Sequence, residues 1–243
     1  MPGAALRVVR PAAGVDLIAA EQAAEAFLVA LGVDLDTESL AATPARMARA
    51  YAAMFSPRPF DLTTFSNDAG YDEMIIARSI PVRSVCEHHL LPFVGLAHVG
   101  YLPGERILGL SKLARVVELF ARRPQVQERL TQQVADWLQD HVAPRGVGVV
   151  VEAEHLCMTM RGVGASGATT VTSALHGQLR SDAASRAEFF TLIGTASPRS
   201  QSPAHDEDHN PTRLHHCRRR PGRRHRGANP ARGRVRREDH PAG

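Results

Sequence analysis

The sequence VGVVVEAEHLC at residues 147–157 predicts a buried strand in this 243-residue chain. Residues 147–151 are nearly all valine, and an unbroken run of β-branched side chains is typical of a strand inside a sheet. The pattern predicts a strand that continues to Cys157, with residues 169–175 as its hairpin partner. Side chains alternate along a strand, so His155 and Cys157 are predicted to share one face.

Three further strands are predicted upstream, at residues 74–85, 93–101 and 106–110. They are short and rich in aliphatic residues, and prolines separate them, which favours antiparallel pairing. Because strands and helix pairs are segregated along the chain and do not alternate, the sequence indicates an α+β fold.

Helices are predicted where apolar residues recur at helical spacing. The first covers residues 17–31, with Gly32 as its C-cap, and the second has Thr43 as N-cap and Pro44 as its first residue. The remaining predictions are a helix capped by Ser111 and ended by Pro124, one at residues 126–141 and one at residues 182–192.

The composition divides the chain into three parts. We predict a flexible N-terminus at residues 1–14, a folded domain at 15–194 and a disordered tail rich in Arg, Pro and His at 195–243. Within the domain, the predicted parts are N-terminal helices at 15–56, a linking loop at 57–71 and the strand-bearing part at 73–194.

The tail differs from the domain in charge. It holds 12 Arg against 5 Asp and Glu, a net charge of +7, which leaves −3 on residues 1–194 from the total of +4. The tail also lacks Phe, Tyr, Trp, Ile and Met, so it buries too little apolar surface to offset its ordering entropy. An RNA-binding arm, an arm for another anionic surface and translation out of frame are the alternatives to a disordered extension.

Several classes of protein are excluded by composition. No run approaches the roughly 18 apolar residues of a membrane span, and the N-terminus lacks the pattern of a signal peptide. The three cysteines, Cys86, Cys157 and Cys217, are odd in number and widely spaced, which favours reduced thiols. We therefore expect a soluble, cytoplasmic protein whose thiols bind a metal or act as nucleophiles.

Cysteine and histidine residues cluster in two short segments. In Cys86-Glu87-His88-His89 one tight turn can aim a thiolate and an imidazole at a single ion, and His155 and Cys157 supply a second pair. Two Cys and one or two His suit zinc; three protein ligands would indicate a catalytic site and four a structural one. Taken singly, each residue also fits a buried thiol or an ordinary imidazole.

A candidate anion site surrounds Lys112, the single lysine among 29 basic residues. It lies at a predicted strand-to-helix junction, where backbone N–H groups, Lys112 and Arg115 together favour an anion, and Arg161 could add a further cation. A solvated charged face is the alternative.

The next predicted helix opens with Gln127 and Glu128. A carboxylate and an amide here can accept hydrogen bonds from the N1–H and 2-amino group of a guanine. An ordinary charged helix start, with Glu128 at the positive end of the helix dipole, explains the same residues.

Four segments, in order, resemble the GTP cyclohydrolase I family. They are CEHHLLPF at 86–93, GLSKL at 109–113, RPQVQERL at 123–130 and HLCMTMRGV at 155–163. The resemblance covers about residues 15–194, including TPAR at 43–46, and the tail has no counterpart in it.

The resemblance implies a tunnelling fold, in which antiparallel sheets backed by helices join between subunits into a barrel. It implies a homodecamer of two stacked five-fold rings, with active sites at subunit interfaces. It also implies zinc-dependent conversion of GTP to 7,8-dihydroneopterin triphosphate with release of formate, the first step of tetrahydrofolate and pterin biosynthesis. GTP is then the substrate and Zn²⁺ the cofactor, and neither a membrane nor a nucleic acid is expected as partner.

The resemblance also assigns individual residues. Cys86, His89 and Cys157 would hold zinc, and His88 and His155 would transfer protons, since the pKa of histidine lies near neutrality. Glu128, helped by Gln127, would bind guanine. The ribose and triphosphate would meet Ser111, Lys112, Arg115 and Arg161, with Arg46 as a further candidate for a phosphate contact.

One departure and two alternatives accompany this interpretation. Residues 164–166, GAS, stand where the family commonly has basic residues and a proline, so weaker triphosphate binding or an altered loop is expected. Another tunnelling-fold pterin or purine enzyme fits the motifs poorly. A non-catalytic module that binds zinc and nucleic acid would use Cys217 as a ligand.

Overall fold

A computed structural model describes residues 6–8 and 14–194 of the chain. The predicted disordered tail at 195–243, and the predicted flexible N-terminus apart from residues 6–8 and 14, lie outside the described residues. No helix in the described part is long and apolar enough to cross a membrane.

The strands are β1 (Leu6–Val8), β2 (Phe60–Leu62), β3 (Thr64–Ser66), β4 (Ile75–Cys86), β5 (Pro92–Leu102), β6 (Arg106–Leu108), β7 (Pro124–Gln125), β8 (Gly146–His155) and β9 (Thr169–Gly177). The helices are α1 (Leu17–Ala30), α2 (Thr43–Met54), α3 (Leu110–Ala121), α4 (Gln127–Val142), α5 (Leu156–Thr159), α6 (Gln178–Ser181) and α7 (Ala183–Gly194).

The main sheet has the strand order β7-β4-β5-β8-β9. Strands β4, β5, β8 and β9 are antiparallel, and the short β7 runs parallel to β4. The predicted α+β class and the pairing of the 147–157 strand with residues 169–175 are confirmed, because β8 and β9 form an antiparallel pair. Two small antiparallel pairs, β1 with β2 and β3 with β6, complete the strands.

The predicted loop at 57–71 is wrong, since it contains both β2 and β3. Strand β2 begins at Phe60, a buried residue whose ring lies 6.2 Å from that of Trp137 on α4. Strand β3 pairs with β6, so the predicted strand at 106–110 joins this small sheet and not the main one. Strand β3 is about 40 residues from β6 in sequence, so the local pattern of residues does not indicate this pairing.

Two predicted helix caps are also corrected. Helix α2 begins at Thr43 with Ala42 as the preceding cap residue, and the Thr43 hydroxyl accepts a hydrogen bond from Arg46 at 2.8 Å. Helix α3 begins at Leu110 after Gly109, so Ser111 lies inside its first turn. The cap lies two residues earlier than predicted, at Gly109, because the Gly109 N–H donates to the Thr63 carbonyl at 3.0 Å and fixes the chain there.

Helices cover the main sheet on both faces. The larger core packs α3 and α4 against the sheet through buried residues such as Val117 and Leu130. On the other face, Leu179 from α6 and Phe189 from α7 form a smaller core with Val150. Phe189 can approach the sheet closely because Gly148 has no side chain: a Cβ there would lie 2.8 Å from the Phe189 ring.

We expect Gly148→Ala to destabilise the fold by about 1–3 kcal/mol, because the added methyl group overpacks a site without free space. Chemical denaturation followed by circular dichroism measures the change. Gly194→Ala is the matched control, since its Cβ would meet no atom of the described residues within 4 Å. Equal stability of the Gly148 variant and the wild type would contradict the proposed packing.

Candidate metal centre and active site

The turn between β4 and β5 presents the first potential metal ligands. Cys86 ends β4, and its backbone N–H donates to Leu91 at 2.8 Å while its carbonyl accepts from the Leu90 N–H at 2.8 Å. Leu90 adopts a positive φ of 54°, which lets the chain reverse within this turn. The turn therefore carries Cys86 and His89 close to one point.

The second potential ligand segment follows β8. The strand ends at His155 and the chain enters the helical turn α5 at Leu156, closed by a 3.0 Å bond from the Met160 N–H to the Leu156 carbonyl. The predicted strand up to Cys157 is therefore wrong, as is the shared strand face of His155 and Cys157. Because the backbone coils after His155, the two side chains lie in different surroundings.

Three side chains converge where these segments meet. The ligand atoms of Cys86, His89 and Cys157 all lie within 4.8 Å of one another. Ligands on a tetrahedral zinc ion are separated by about 3.5–3.8 Å, given bonds of roughly 2.3 Å to sulfur and 2.0 Å to nitrogen. A small closure of the group therefore suffices for zinc, and the donor set of two thiols and one imidazole suits that ion.

Within residues 14–194 this is the single group of three or more such side chains with metal-binding spacing. Burial raises the pKa of the Cys157 thiol, and the neighbouring Cys86 raises it further, whereas the charge of Arg161 lowers it. Arg161 is therefore close enough to act on the site electrostatically. Three protein ligands leave one tetrahedral position open, which is the arrangement of catalytic zinc.

His88 lies beside the group but is not one of its members. Its Nδ1 atom is 3.7 Å from the Cys86 sulfur, and its ring centroid is 6.3 Å from that of His89. The side chain is exposed, so solvent can exchange protons with it.

His155 is held by Gln127. The amide nitrogen of Gln127 donates to the carbonyls of Val151 at 3.0 Å and Thr170 at 2.8 Å, so its oxygen faces the Nε2 atom of His155 at 2.7 Å. Nε2 therefore carries the proton and donates it to Gln127, which leaves the Nδ1 lone pair available as a base. The ring also stacks on Phe93, with centroids 4.6 Å apart.

The electrostatics of His155 follow from these neighbours. Burial lowers its pKa, and the negative charge of Glu128 opposes that effect. Glu128 is exposed at the start of α4, where a ligand can reach it. Gln127 is only 1% exposed, and its amide is engaged inside the protein, so the structure separates the two residues that the sequence paired for guanine binding.

The predicted anion-binding residues lie on α3 and after α5. Ser111 and Lys112 occupy the first turn of α3, and Arg115 follows on the next turn. Arg161 is exposed just beyond α5. Arg46 lies on α2 and bonds the Ser39 carbonyl and the Thr43 hydroxyl, each at 2.8 Å.

The sequence analysis missed Glu118 on α3, which pairs with three arginines. It accepts two hydrogen bonds from Arg58 at 2.7 Å and pairs with Arg115 at 3.3 Å and Arg122 at 3.0 Å. The spacings of three and four residues within α3 were the available signal. Arg58 is 60 residues away in sequence, so its contact with Glu118 gives no signal in the local pattern.

The loop after α5 contains the departure from the family motif. Gly164 has a φ of 61° and its N–H lies 3.3 Å from the Arg161 carbonyl, while the Ala165 N–H donates to Met158 at 3.0 Å. The segment folds back on α5 as a compact loop.

Comparison with known proteins identifies the family. The family model for GTP cyclohydrolase I matches residues 20–194. A protein of Thermobifida fusca named GTP cyclohydrolase 1 is 55% identical over 186 residues, which cover 74% of this chain and 90% of that protein. A protein of Mycobacterium leprae with the same name is 56% identical over 179 residues, covering 72% of this chain and 87% of that protein.

A Streptomyces avermitilis protein of that name is 56% identical over 72% of this chain and 89% of its own length. Among solved structures, an archaeosine synthase QueF-Like in the apo form aligns with a TM-score of 0.37 and 18% identity, over 44% of this chain and 96% of that chain.

An α+β domain with a Cys₂His group and a half-buried, oriented histidine two residues from Cys157 defines a candidate metal-dependent hydrolase. The chain belongs to the GTP cyclohydrolase I family, because the family model spans most of it and the relatives match over nearly their full lengths.

We expect Glu118→Gln to lower the stability at pH 7 by about 1 kcal/mol, since the partly exposed cluster loses its shared carboxylate. The hydrogen bond from Arg58 and the surrounding positive charges lower the pKa of Glu118, so its stabilisation is present above the ordinary carboxyl pKa. That stabilisation is lost as the pH falls through the lowered pKa. Chemical denaturation from pH 7 down to pH 3 measures it.

The control for this variant is Glu21→Gln, at an exposed position of α1. The stability difference between Glu118→Gln and wild type is expected to shrink towards zero at low pH. A difference that stays constant with pH would rule out an electrostatic role for Glu118.

Proposed function

We propose that this chain converts GTP to 7,8-dihydroneopterin triphosphate with release of formate, as a hydrolase acting on the C–N bonds of a cyclic amidine. This reaction is the first step of tetrahydrofolate and pterin biosynthesis. The observation that carries the proposal is the group Cys86, His89 and Cys157, with an oriented His155 beside it, in a chain of this family.

The residues that would hold the metal are Cys86, His89 and Cys157, and we propose zinc as the ion. Bound zinc supplies a Lewis acid that lowers the pKa of water towards neutrality and polarises the atom to be attacked. The two thiols must ionise to serve as ligands, so metal binding releases protons and weakens at low pH.

His155 is suited to accept a proton from the reacting groups. Its Nδ1 lone pair is available because Nε2–H is committed to Gln127, and burial favours the neutral ring. Phe93 and Gln127 fix the ring orientation, so no rearrangement precedes proton transfer. His88, exposed beside Cys86, is proposed as the second proton-transfer group, which exchanges protons with solvent.

The proposed substrate contacts come from α4, from α3 and from the loop after α5. Glu128 is proposed to accept from the guanine N1–H and 2-amino group, with Gln127 acting indirectly through His155. The ribose and triphosphate are assigned to Ser111, Lys112, Arg115 and Arg161, with Arg46 as a further phosphate contact. Lys112 and the arginines would contact the phosphates, far from the reacting carbon, and this remote contact would supply binding energy. The loop at 164–166 lies next to Arg161 and influences the same phosphates.

The assembly and location are proposed on the same basis. The antiparallel sheet backed by α3 and α4 is proposed to be a tunnelling-fold unit, and β9 is an edge strand of that sheet in the described part of the chain. An edge strand can pair with a neighbouring subunit to close a barrel. We propose a homodecamer in the cytoplasm, with no membrane or nucleic-acid partner.

The test is incubation of the purified, zinc-loaded chain with GTP. Fluorescence of the oxidised pterin and an enzymatic assay for formate are expected to give equal amounts of the two products. ATP is the matched control substrate, because its N1 atom carries no hydrogen for Glu128 to accept. A folded, zinc-bearing protein that gives neither product would contradict the proposal and favour the non-catalytic zinc module.

Two variants separate metal binding from proton transfer. Cys157→Ser is expected to lose zinc and turnover together, whereas His155→Ala keeps zinc and loses turnover by about 10²–10⁴-fold. Zinc content by atomic absorption and turnover of GTP are measured on the same samples. Full zinc content in Cys157→Ser would remove Cys157 from the ligand set, and normal turnover in His155→Ala would defeat its assigned role.

A further inference from the structure

We infer that Arg129 is a positioning residue for the metal centre: its ion pair with Glu87 fixes the turn that carries Cys86 and His89. The inference rests on the proposed metal site and adds a residue whose described side-chain partners are Glu87 and Gln125, neither of them a proposed metal ligand. Arg129 lies in the first turn of α4, directly after Glu128.

Glu87 stands between the two ligands of the turn and is held in two ways. Its carboxylate pairs with the Arg129 guanidinium, and its backbone N–H donates to the Gln125 carbonyl at 3.0 Å. The main chain of Glu87 is therefore held by β7, and its side chain by the first turn of α4.

Gln125 fixes Arg129 in turn. It is 1% exposed, and its amide nitrogen donates to the Phe120 carbonyl at 2.8 Å and to Gln133 at 2.9 Å. Its oxygen then accepts from Nε of Arg129 at 3.1 Å. The buried amide of Gln125 therefore orients the guanidinium that pairs with Glu87. A lysine cannot make the contacts with Gln125 and Glu87 at the same time.

Apart from those of Glu87, the described contacts that hold the turn to the rest of the domain lie at its two ends. Cys86 is paired in register with Gln125 through β4 and β7, and the Leu90 carbonyl accepts from the Tyr51 hydroxyl at 3.1 Å. Between Cys86 and Leu90, the side chain of Glu87 connects the turn to α4 through its ion pair with Arg129. Without it, His89 samples more positions, and metal binding must order the turn.

The expected signature is a loss of metal affinity with little loss of stability. The side chains of Arg129 and Glu87 are 47% and 33% exposed, so the ion pair itself contributes little to folding. Outer contacts that orient metal ligands typically change metal affinity by about 10–100-fold.

The experiment measures the zinc dissociation constant of the full chain by competition with a chromophoric chelator. We expect Arg129→Gln, Arg129→Lys and Glu87→Gln each to raise it about 10–100-fold. The thermal midpoint of the zinc-free protein should move by no more than a few degrees. The matched control is Arg58→Gln. It removes the exposed ion pair between Arg58 and Glu118, which involves no residue of the turn.

Zinc affinity within twofold of wild type in both Arg129→Gln and Glu87→Gln would overturn the inference. Equal loss of zinc affinity in Arg58→Gln would also overturn it, because the effect would then not be local. A wild-type chain that binds zinc but does not turn over GTP contradicts only the proposed function. A wild-type chain without zinc affinity overturns this inference together with the proposed metal site.

Discussion

The register between β5 and β8 is the constraint on which the site depends. Phe93 lies opposite His155 in this antiparallel pair, so the turn before β5 and the helical turn after β8 leave the sheet at the same end. A slip of one residue would turn every side chain of β8 to the opposite face. The convergence of Cys86 and Cys157, more than 70 residues apart, is therefore a consequence of strand pairing.

The same pairing positions His155, which is proposed to transfer protons. Gln127 reaches from α4 to the carbonyls of Val151 on β8 and Thr170 on β9, so the amide that orients His155 is itself fixed by two strands. A glutamine buried to this degree would be costly without complete hydrogen bonding, and here its donors and its acceptor all have partners. The Gln127 side chain thus connects the buried strands β8 and β9 to His155, the proposed proton acceptor.

The sequence was informative where structure is local. The valine run of β8, the hairpin partner β9 and the apolar spacing of α1, α3 and α4 depend on near neighbours, and these elements are confirmed. Strands β2 and β3 were missed because they are three residues long and depend on distant partners. The caps at Thr43 and Ser111 were misplaced because backbone contacts, and not cap side chains, begin those helices.

The sequence indicated which residues come together but not their geometry. Spacing pointed to two cysteines with one or two histidines, and the family resemblance narrowed them to Cys86, His89 and Cys157, which the structure brings within 4.8 Å of one another. The reason given for Cys157 was wrong, since a helical turn and not strand alternation brings it to Cys86. The inward orientation of Gln127 and the arginines around Glu118 depend on contacts across the fold. Residue type alone does not distinguish a glutamine that meets substrate from one that orients a histidine.

Zinc K-edge X-ray absorption on the zinc-loaded full chain tests the central claim most directly, because it counts the ligands of the metal. The account predicts two sulfur ligands at about 2.3 Å, and one imidazole nitrogen and one further light atom at about 2.0–2.1 Å. A sulfur count other than two, or a second imidazole in the fourth position, would contradict an open catalytic centre formed by Cys86, His89 and Cys157.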